Sequence, residues 1–274
     1  MKTNINFIDC IINEIKICNA FKNSFDNYKN KERKYQMKNI LKEIFYILKT
    51  GLSWRQYRGP INSNSLYYYY KKLSDNRIFE KTYESIIKQY YAKNKQSKLK
   101  YQIIDTTFIR NKLGCENVSL NKYFKNKKCC KLSIITDING IPISVLVDKG
   151  TKHDIKFVEE NINKLLIVAN TRRFKNTEKF KQYFLADKGY VSKELTKKLI
   201  EKNYIPIIAR KRNNPNKMTI EEKAIYKKRI KIENTFSKIK QYRRLDTRYE
   251  RKTSNYKSFL YFALIKICID YMNK

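Results

Sequence analysis

An α/β fold with a mixed sheet flanked by helices, preceded by an all-α region, is what this sequence of 274 residues predicts. Three observations carry that expectation. Apolar residues recur at helical spacing as far as about residue 91, and beyond residue 100 the period shortens to strand-like runs. Those runs then alternate with helical segments, the order that builds a sheet covered by helices. The change of period falls at Ala92–Lys100, a polar stretch without large apolar residues, so a helical region over 1–95 and an α/β domain over 100–274 are expected.

In the first region Phe7, Ile11, Ile12 and Ile15 share a helix face, as do Ile40, Leu41, Phe45 and Leu48. Gly51 suits the end of that second helix. Trp54 and a Gly59-Pro60 turn follow, with Trp54 expected as a core anchor. Ser63 or Ser65 can cap a helix through the tyrosine run Tyr67–Tyr70 to Leu73, and another covers Phe79 to Tyr91. Short helices with a tight turn before a Tyr- and Lys-rich helix suggest a helix-turn-helix-like, DNA-binding region.

In the second region Gln102–Ile109 reads as a strand. Leu132–Ile138 and Ile141–Val147 form a hairpin about Asn139-Gly140. Asp154 starts a helix reaching Leu166, and Tyr183–Ala186 is a short strand. Ser192 caps the next helix, Tyr204–Ala209 is a further strand, and a long helix covers Thr219 to Gln241. The apolar stretch Phe259–Met272 reads as a buried helix, too short for a bilayer. Three strands, helix, strand, helix, strand, helix also matches the ribonuclease H-like arrangement, although order alone admits other α/β folds.

Composition narrows the partners. There are 61 Lys and Arg against 25 Asp and Glu, a net charge of +36, which points to a polyanion, with nucleic acid foremost. An AT-rich coding bias would also raise Lys, Asn, Ile and Tyr, so the charge suggests DNA without establishing it. Six cysteines include no CxxC and there is a single histidine, His153, which leaves little for zinc. The thiols are expected buried and reduced, in an intracellular protein with no membrane segment.

Carboxylates at strand ends are natural ligands for Mg²⁺. Asp105 interrupts the apolar strand IIDTTF, where a charge costs desolvation unless a cation offsets it, and Asp187 closes a strand at LADKGY. On the long helix, Tyr226, Arg229, Glu233 and Lys240 fall within an arc of about 60° at 100° per residue. Ile232, Phe236 and Ile239 form an apolar stripe beside them, with Lys227, Lys231 and Lys238 opposite. A plainer reading makes each aspartate a solvated turn residue and Arg229 with Glu233 an i,i+4 surface pair. It leaves Tyr226 unexplained.

The spacing Tyr226-x2-Arg229-x3-Glu233-x6-Lys240 resembles the Y-R-E-K signature of insertion-sequence DDE transposases of the IS-four and IS-five groups. IIDTTFIR and LADKGY resemble the family's first and second aspartate motifs, and YRRLDTRYER its basic segment after the signature. ILKTGLSWRQYRGP is similar to the helical region before the core in IS-five-like members. The likeness runs over roughly residues 35 to 270.

It implies a ribonuclease H-like core in which Asp105, Asp187 and Glu233 bind two divalent cations, Mg²⁺ with Mn²⁺ as substitute. Tyr226, Arg229 and Lys240 would grip phosphates of the transposon end. The implied chemistry is 3′-end cleavage and strand transfer on double-stranded DNA, by a homodimer or larger synaptic complex. Asp187 and Glu233 are only 46 positions apart, which leaves no room for the large insertion domain of some relatives. Arg210, Lys211 and Arg212, in a basic loop before the helix, and Arg243 and Arg244 after it, are candidate DNA contacts. Asp137 and Asp148 are expected as turn or strand-end residues, and His153-Asp154 as a helix start. A domesticated DDE nuclease and an inactive DNA-binding descendant are the alternatives.

Overall fold

The computed structural model describes residues 5–18, 35–93, 99–168, 182–210 and 217–274. Lys211 and Arg212 lie outside the described residues. Two compact units cut across the linear division expected from the sequence: Met1–Ile86, Arg110–Glu116 and Lys238–Lys274 form one, and Ile87–Ile109 with Asn117–Ser237 the other.

The first unit is mainly helical. Its helices are α1 (Phe7–Ile17), α2 (Met37–Thr50), α3 (Ser63–Asp75) and the start of α4 (Ile78–Lys93). Asn6 caps α1 through its side chain, and Gly51 ends α2 at φ 74°, where a Cβ would lie 2.9 Å from the Arg243 Cβ. Asn62, one residue before the expected serine, caps α3: its Oδ1 accepts from the Asn64 and Ser65 amides. The connection from α2 to α3 spans Gly51–Asn62 and contains a 3₁₀ turn at Trp54–Gln56. A helix-turn-helix uses a turn of about 3–4 residues, and this one is longer.

The buried helix at the chain end is α10 (Thr253–Met272), preceded by the short α9 (Arg243–Asp246). Apolar residues surround its axis, so helices must cover it on several sides. It packs against α1, α2 and α3. Phe262 stacks on Phe79 at 4.6 Å and meets Phe45 at 5.3 Å, and Phe259 stacks on Tyr70 at 4.4 Å. Trp54 joins this core as expected, 5.0 Å from Tyr70 and 6.0 Å from Phe259. That packing is why the last helix belongs with the first ones.

The second unit holds the α/β core. Its strands are β1 (Tyr101–Asn111), β2 (Ser119–Asn121), β3 (Lys127–Thr136), β4 (Pro142–Lys149), β5 (Gln182–Ala186) and β6 (Tyr204–Ile208), in spatial order β2-β3-β1-β5-β6 with β4 also paired to β3. The β3–β4 pairing is antiparallel, whereas β1, β5 and β6 run parallel. The hairpin loop is longer than the two residues expected. Asp137, fully buried, ties it with Oδ1 accepting from the Asn139 and Ile141 amides, and Gly140 takes φ 80°.

Helix α5 (Asp154–Asn163) covers β3 and β4, while α6 (Lys193–Glu201) covers β6. His153, rather than Asp154, is the cap position of α5, and the Ser192 hydroxyl caps α6 as expected. Ile104, Ile135, Ile143, Val158, Phe184 and Leu199 are among the buried residues between sheet and helices.

Of the cysteines, Cys129, Cys130 and Cys268 are buried, Cys10 and Cys18 are half-buried and Cys115 is exposed, so not every thiol is a core residue. All six are free. No helix among the described residues is long and apolar enough to cross a membrane.

Candidate active site

Adjacent parallel strands bring the two aspartates together. Ile103 on β1 is in register with Leu185 on β5; Asp105 follows two residues later within β1, and Asp187 lies just past the end of β5. Alternation on β1 turns Ile104 into the core and Asp105 to the other face, where it is half-buried.

The helix expected over Thr219–Gln241 is interrupted. It consists of α7 (Ile220–Tyr226), a 3₁₀ turn at Lys227–Arg229, and α8 (Ile230–Lys240). Thr219 and Glu222 form a capping box at its start. In a 3₁₀ turn residues three apart eclipse one another, which sets Tyr226 and Arg229 side by side. The Arg229 Nη1 donates to the Tyr226 hydroxyl at 2.9 Å, and the Tyr226 hydroxyl reaches the Asp187 Oδ1 at 3.4 Å. Ile232, Phe236 and Ile239 are buried as the stripe requires, and Lys227, Lys231 and Lys238 are exposed.

The Arg229 guanidinium spans the aspartate pair. Its Nη2 lies 2.6 Å from the Asp105 Oδ2 and its Nη1 3.9 Å from the Asp187 Oδ1, with the arginine side chain 12% exposed. Burial pushes the Asp105 carboxyl above its ordinary range, and the Asp187 charge adds to this. The Arg229 charge and the Thr106 amide pull the other way without cancelling it. Arg229 itself loses solvation, yet Asp105, Tyr226 and Asp187 hold it firmly cationic.

A second polar chain adjoins Asp105. The Thr106 hydroxyl donates to the Asp154 Oδ1 at 3.0 Å, and the buried Lys131 ammonium reaches the same oxygen at 2.7 Å. The sequence reading kept Asp154 as a helix start and passed over Lys131. A lysine inside the apolar run of β3 was the available signal, since a buried ammonium requires an anionic partner.

The remaining predicted residues do not all join this site. Glu233, one turn beyond Arg229, is exposed, and the structure does not bring it to the aspartates. Among the described residues no group of three or more His, Cys, Asp or Glu is placed to hold a metal ion. Arg210 pairs with Glu222 at 3.1 Å. Lys240 is half-buried and Arg243 exposed, both in the helical unit. Arg244 corrects the expectation. It is 3% exposed, its Nε lies 2.6 Å from Glu250 and its Nη1 donates to the Leu52 carbonyl. A guanidinium so enclosed serves the core and has no face left for a phosphate.

Asp105 and Asp187 supply hard oxygen donors on one side of a half-buried site, a donor type that fits Mg²⁺ or Mn²⁺ completed by water and phosphate oxygens. Two carboxylates 43% or less exposed, sharing one guanidinium, are an anionic pocket partly balanced by a cation.

A family model described as "Transposase DDE domain" matches residues 96–265. No curated protein matches the chain. Among solved structures, one described as the Mos1 mariner paired end complex with Mn aligns at 12% identity and a TM-score of 0.29, covering 82% of this chain and 87% of that one. With the match extending over more than half of its length, and taking in both aspartates and the helix that carries Arg229, the chain belongs to the family of transposase DDE domains.

Proposed function

We propose that this transposase-family protein binds the ends of a mobile element, cuts their 3′ strands and joins them to target DNA, with Asp105, Asp187 and Glu233 as the metal-binding carboxylates. The observation that carries the reading is that Asp105 on β1 and Asp187 just past the end of the adjacent parallel β5 are spanned by one guanidinium, that of Arg229. Divalent cations held there would acidify a bound water or hydroxyl and neutralise charge on the phosphoryl group. The chain's own residues bind and position. Arg229 offers a fork for two phosphate oxygens, Tyr226 a hydroxyl beside it, and Lys240 a point charge further along the helix.

In this reading Glu233 enters as the third carboxylate, from the turn of α8 that follows Arg229. The fold is taken as ribonuclease H-like, supported by the central β1, its parallel partners and the β3–β4 hairpin. The IS-four/IS-five relationship rests on the Y-R-E-K spacing. The helical unit is the DNA-end reader, supported by exposed Arg55, Arg58, Tyr67 and Tyr68. Two ends joined together call for at least a dimer, acting on DNA inside the cell.

The test is nicking of supercoiled plasmid with Mg²⁺ or Mn²⁺, comparing the wild type with Asp105→Ala and Glu233→Ala. Metal-dependent nicking absent from both variants supports the three-carboxylate site. DNA binding without nicking by any of the proteins, with the element's own ends supplied, overturns it in favour of an inactive DNA-binding descendant.

A further inference from the structure

We infer that Arg229 is a displaceable counter-cation, holding Asp105 and Asp187 closed against divalent metal until a DNA phosphate takes its guanidinium. The inference rests on the proposed function, because it assigns regulation to that site.

Four features separate this contact from a permanent ion pair. The guanidinium lies across the same two carboxylates that a cation would need, 2.6 Å from one and 3.9 Å from the other. Guanidinium and metal therefore compete for one set of oxygens. The grip is uneven: Asp105 is held tightly, whereas Asp187 is reached at ion-pair distance only, with its side chain 43% exposed. Among the described residues the buried Arg229 Nε finds no hydrogen-bond partner, so the closed position leaves one strong donor unused. A bidentate phosphate contact can use it. Finally, Arg229 closes a 3₁₀ turn set between two α-helical segments, and an overwound turn inside a helix is a common hinge.

The consequence is an ordering of events. Without DNA, the aspartates are partly neutralised and their facing oxygens occupied by Arg229, and metal binds weakly. When a phosphate draws Arg229 away, both carboxylates become available in the presence of substrate. Uncommitted metal-dependent cleavage is thereby suppressed. The energetic coupling follows from exclusion alone: whatever stabilises the closed contact is subtracted from metal binding.

The experiment is Mn²⁺ titration of the full chain without DNA, read by loss of the free-ion paramagnetic resonance signal, with folding checked by circular dichroism. Arg229→Gln is expected to bind Mn²⁺ on the order of tenfold more tightly than wild type. Arg229→Lys keeps the charge but cannot fork across both carboxylates, and it is expected to bind several-fold more tightly. Asp105→Asn should remove the gain when combined with either. Equal or weaker Mn²⁺ binding in Arg229→Gln overturns the inference. Should that variant not fold, Arg229→Lys binding no better than wild type overturns it instead. The titration involves no cleavage, so plasmid nicking that fails while the affinity order holds sinks the transposase reading, and with it the release by DNA, and leaves only the exclusion of metal by Arg229 standing.

Discussion

Two arginine–carboxylate pairs, one in each unit, are made of the same groups at the same 2.6 Å separation and differ in everything around them. In the helical unit Arg244 and Glu250 are 4% and 3% exposed, and the guanidinium lies 5.4–5.5 Å from the rings of Trp54, Tyr249 and Phe259. In the α/β unit Arg229 and Asp105 are 12% and 22% exposed, and a second carboxylate competes for the same guanidinium. One pair is enclosed by aromatic packing and fixed in place, at the cost of a buried Glu250 Oε2 without a hydrogen-bond partner among the described residues. The other keeps an anionic side open and a donor unsatisfied. Enclosure, rather than the presence of an ion pair, separates a structural arginine from one available to function.

The largest test of that contrast is stability. Arg244→Met strands Glu250 as an uncompensated buried charge and should cost about 3–5 kcal/mol, read from urea unfolding. Arg229→Gln, in a partly solvated site with two acids free to rearrange, should cost only about 1 kcal/mol. Equal costs would mean that the active-site pair is as structural as the core one.

A second comparison sharpens the carboxylates. Asp105→Asn should lower both Mn²⁺ affinity and plasmid nicking by at least about 100-fold, because even outer-shell partners of a metal ligand cost about 10–100-fold when lost. Glu233→Gln should abolish nicking to a similar extent while leaving the Mn²⁺ affinity of DNA-free protein unchanged, since Glu233 is exposed and apart from the aspartates. Loss of affinity in Glu233→Gln would show that the third carboxylate already belongs to the site.

The smallest effect is acid stability in the helical unit. Burial pushes the Glu80 carboxyl up, but the Arg77 hydrogen bond and the Lys257 charge outweigh it and leave it below its ordinary value of 4.5. A depressed carboxylate contributes stability above its unfolded pKa and loses it as pH falls through the folded one. Thermal melts of wild type and Glu80→Gln should therefore differ above about pH 5 and converge on acidification below pH 4.5. Parallel curves throughout would show that the Arg77 contact is unmade in solution.

Much of the fold was legible because it depends on near neighbours. Gly51 ends its helix with a positive φ, Ser192 caps another, and the strand centres fall where β-rich apolar runs occur. Errors appeared where the chain folds back on itself. The short strand β7 (Thr247–Arg248) pairs with the end of β1, and β2 pairs with β3; neither carries a run long enough to show a period. The straight-helix projection from Tyr226 to Lys240 missed the 3₁₀ turn, because the aspartates that engage Tyr226 and Arg229 come from strands 39 and 124 residues away.

The sequence by itself determined the local periods, the helix caps at Gly51 and Ser192 and the excess of positive charge, properties of composition or of residues within a few turns of one another. Only the tertiary structure decided that Asp105 meets Asp187, that Glu233 stays outside, and that α10 packs with the first helices. It also separated Arg243 from Arg244. Adjacent positions on a helix point about 100° apart, so one faces water and the other enters a core assembled from segments almost 200 residues apart in the chain. Which partner a buried or charged side chain meets is set by which distant elements pack, and no local pattern encodes that choice.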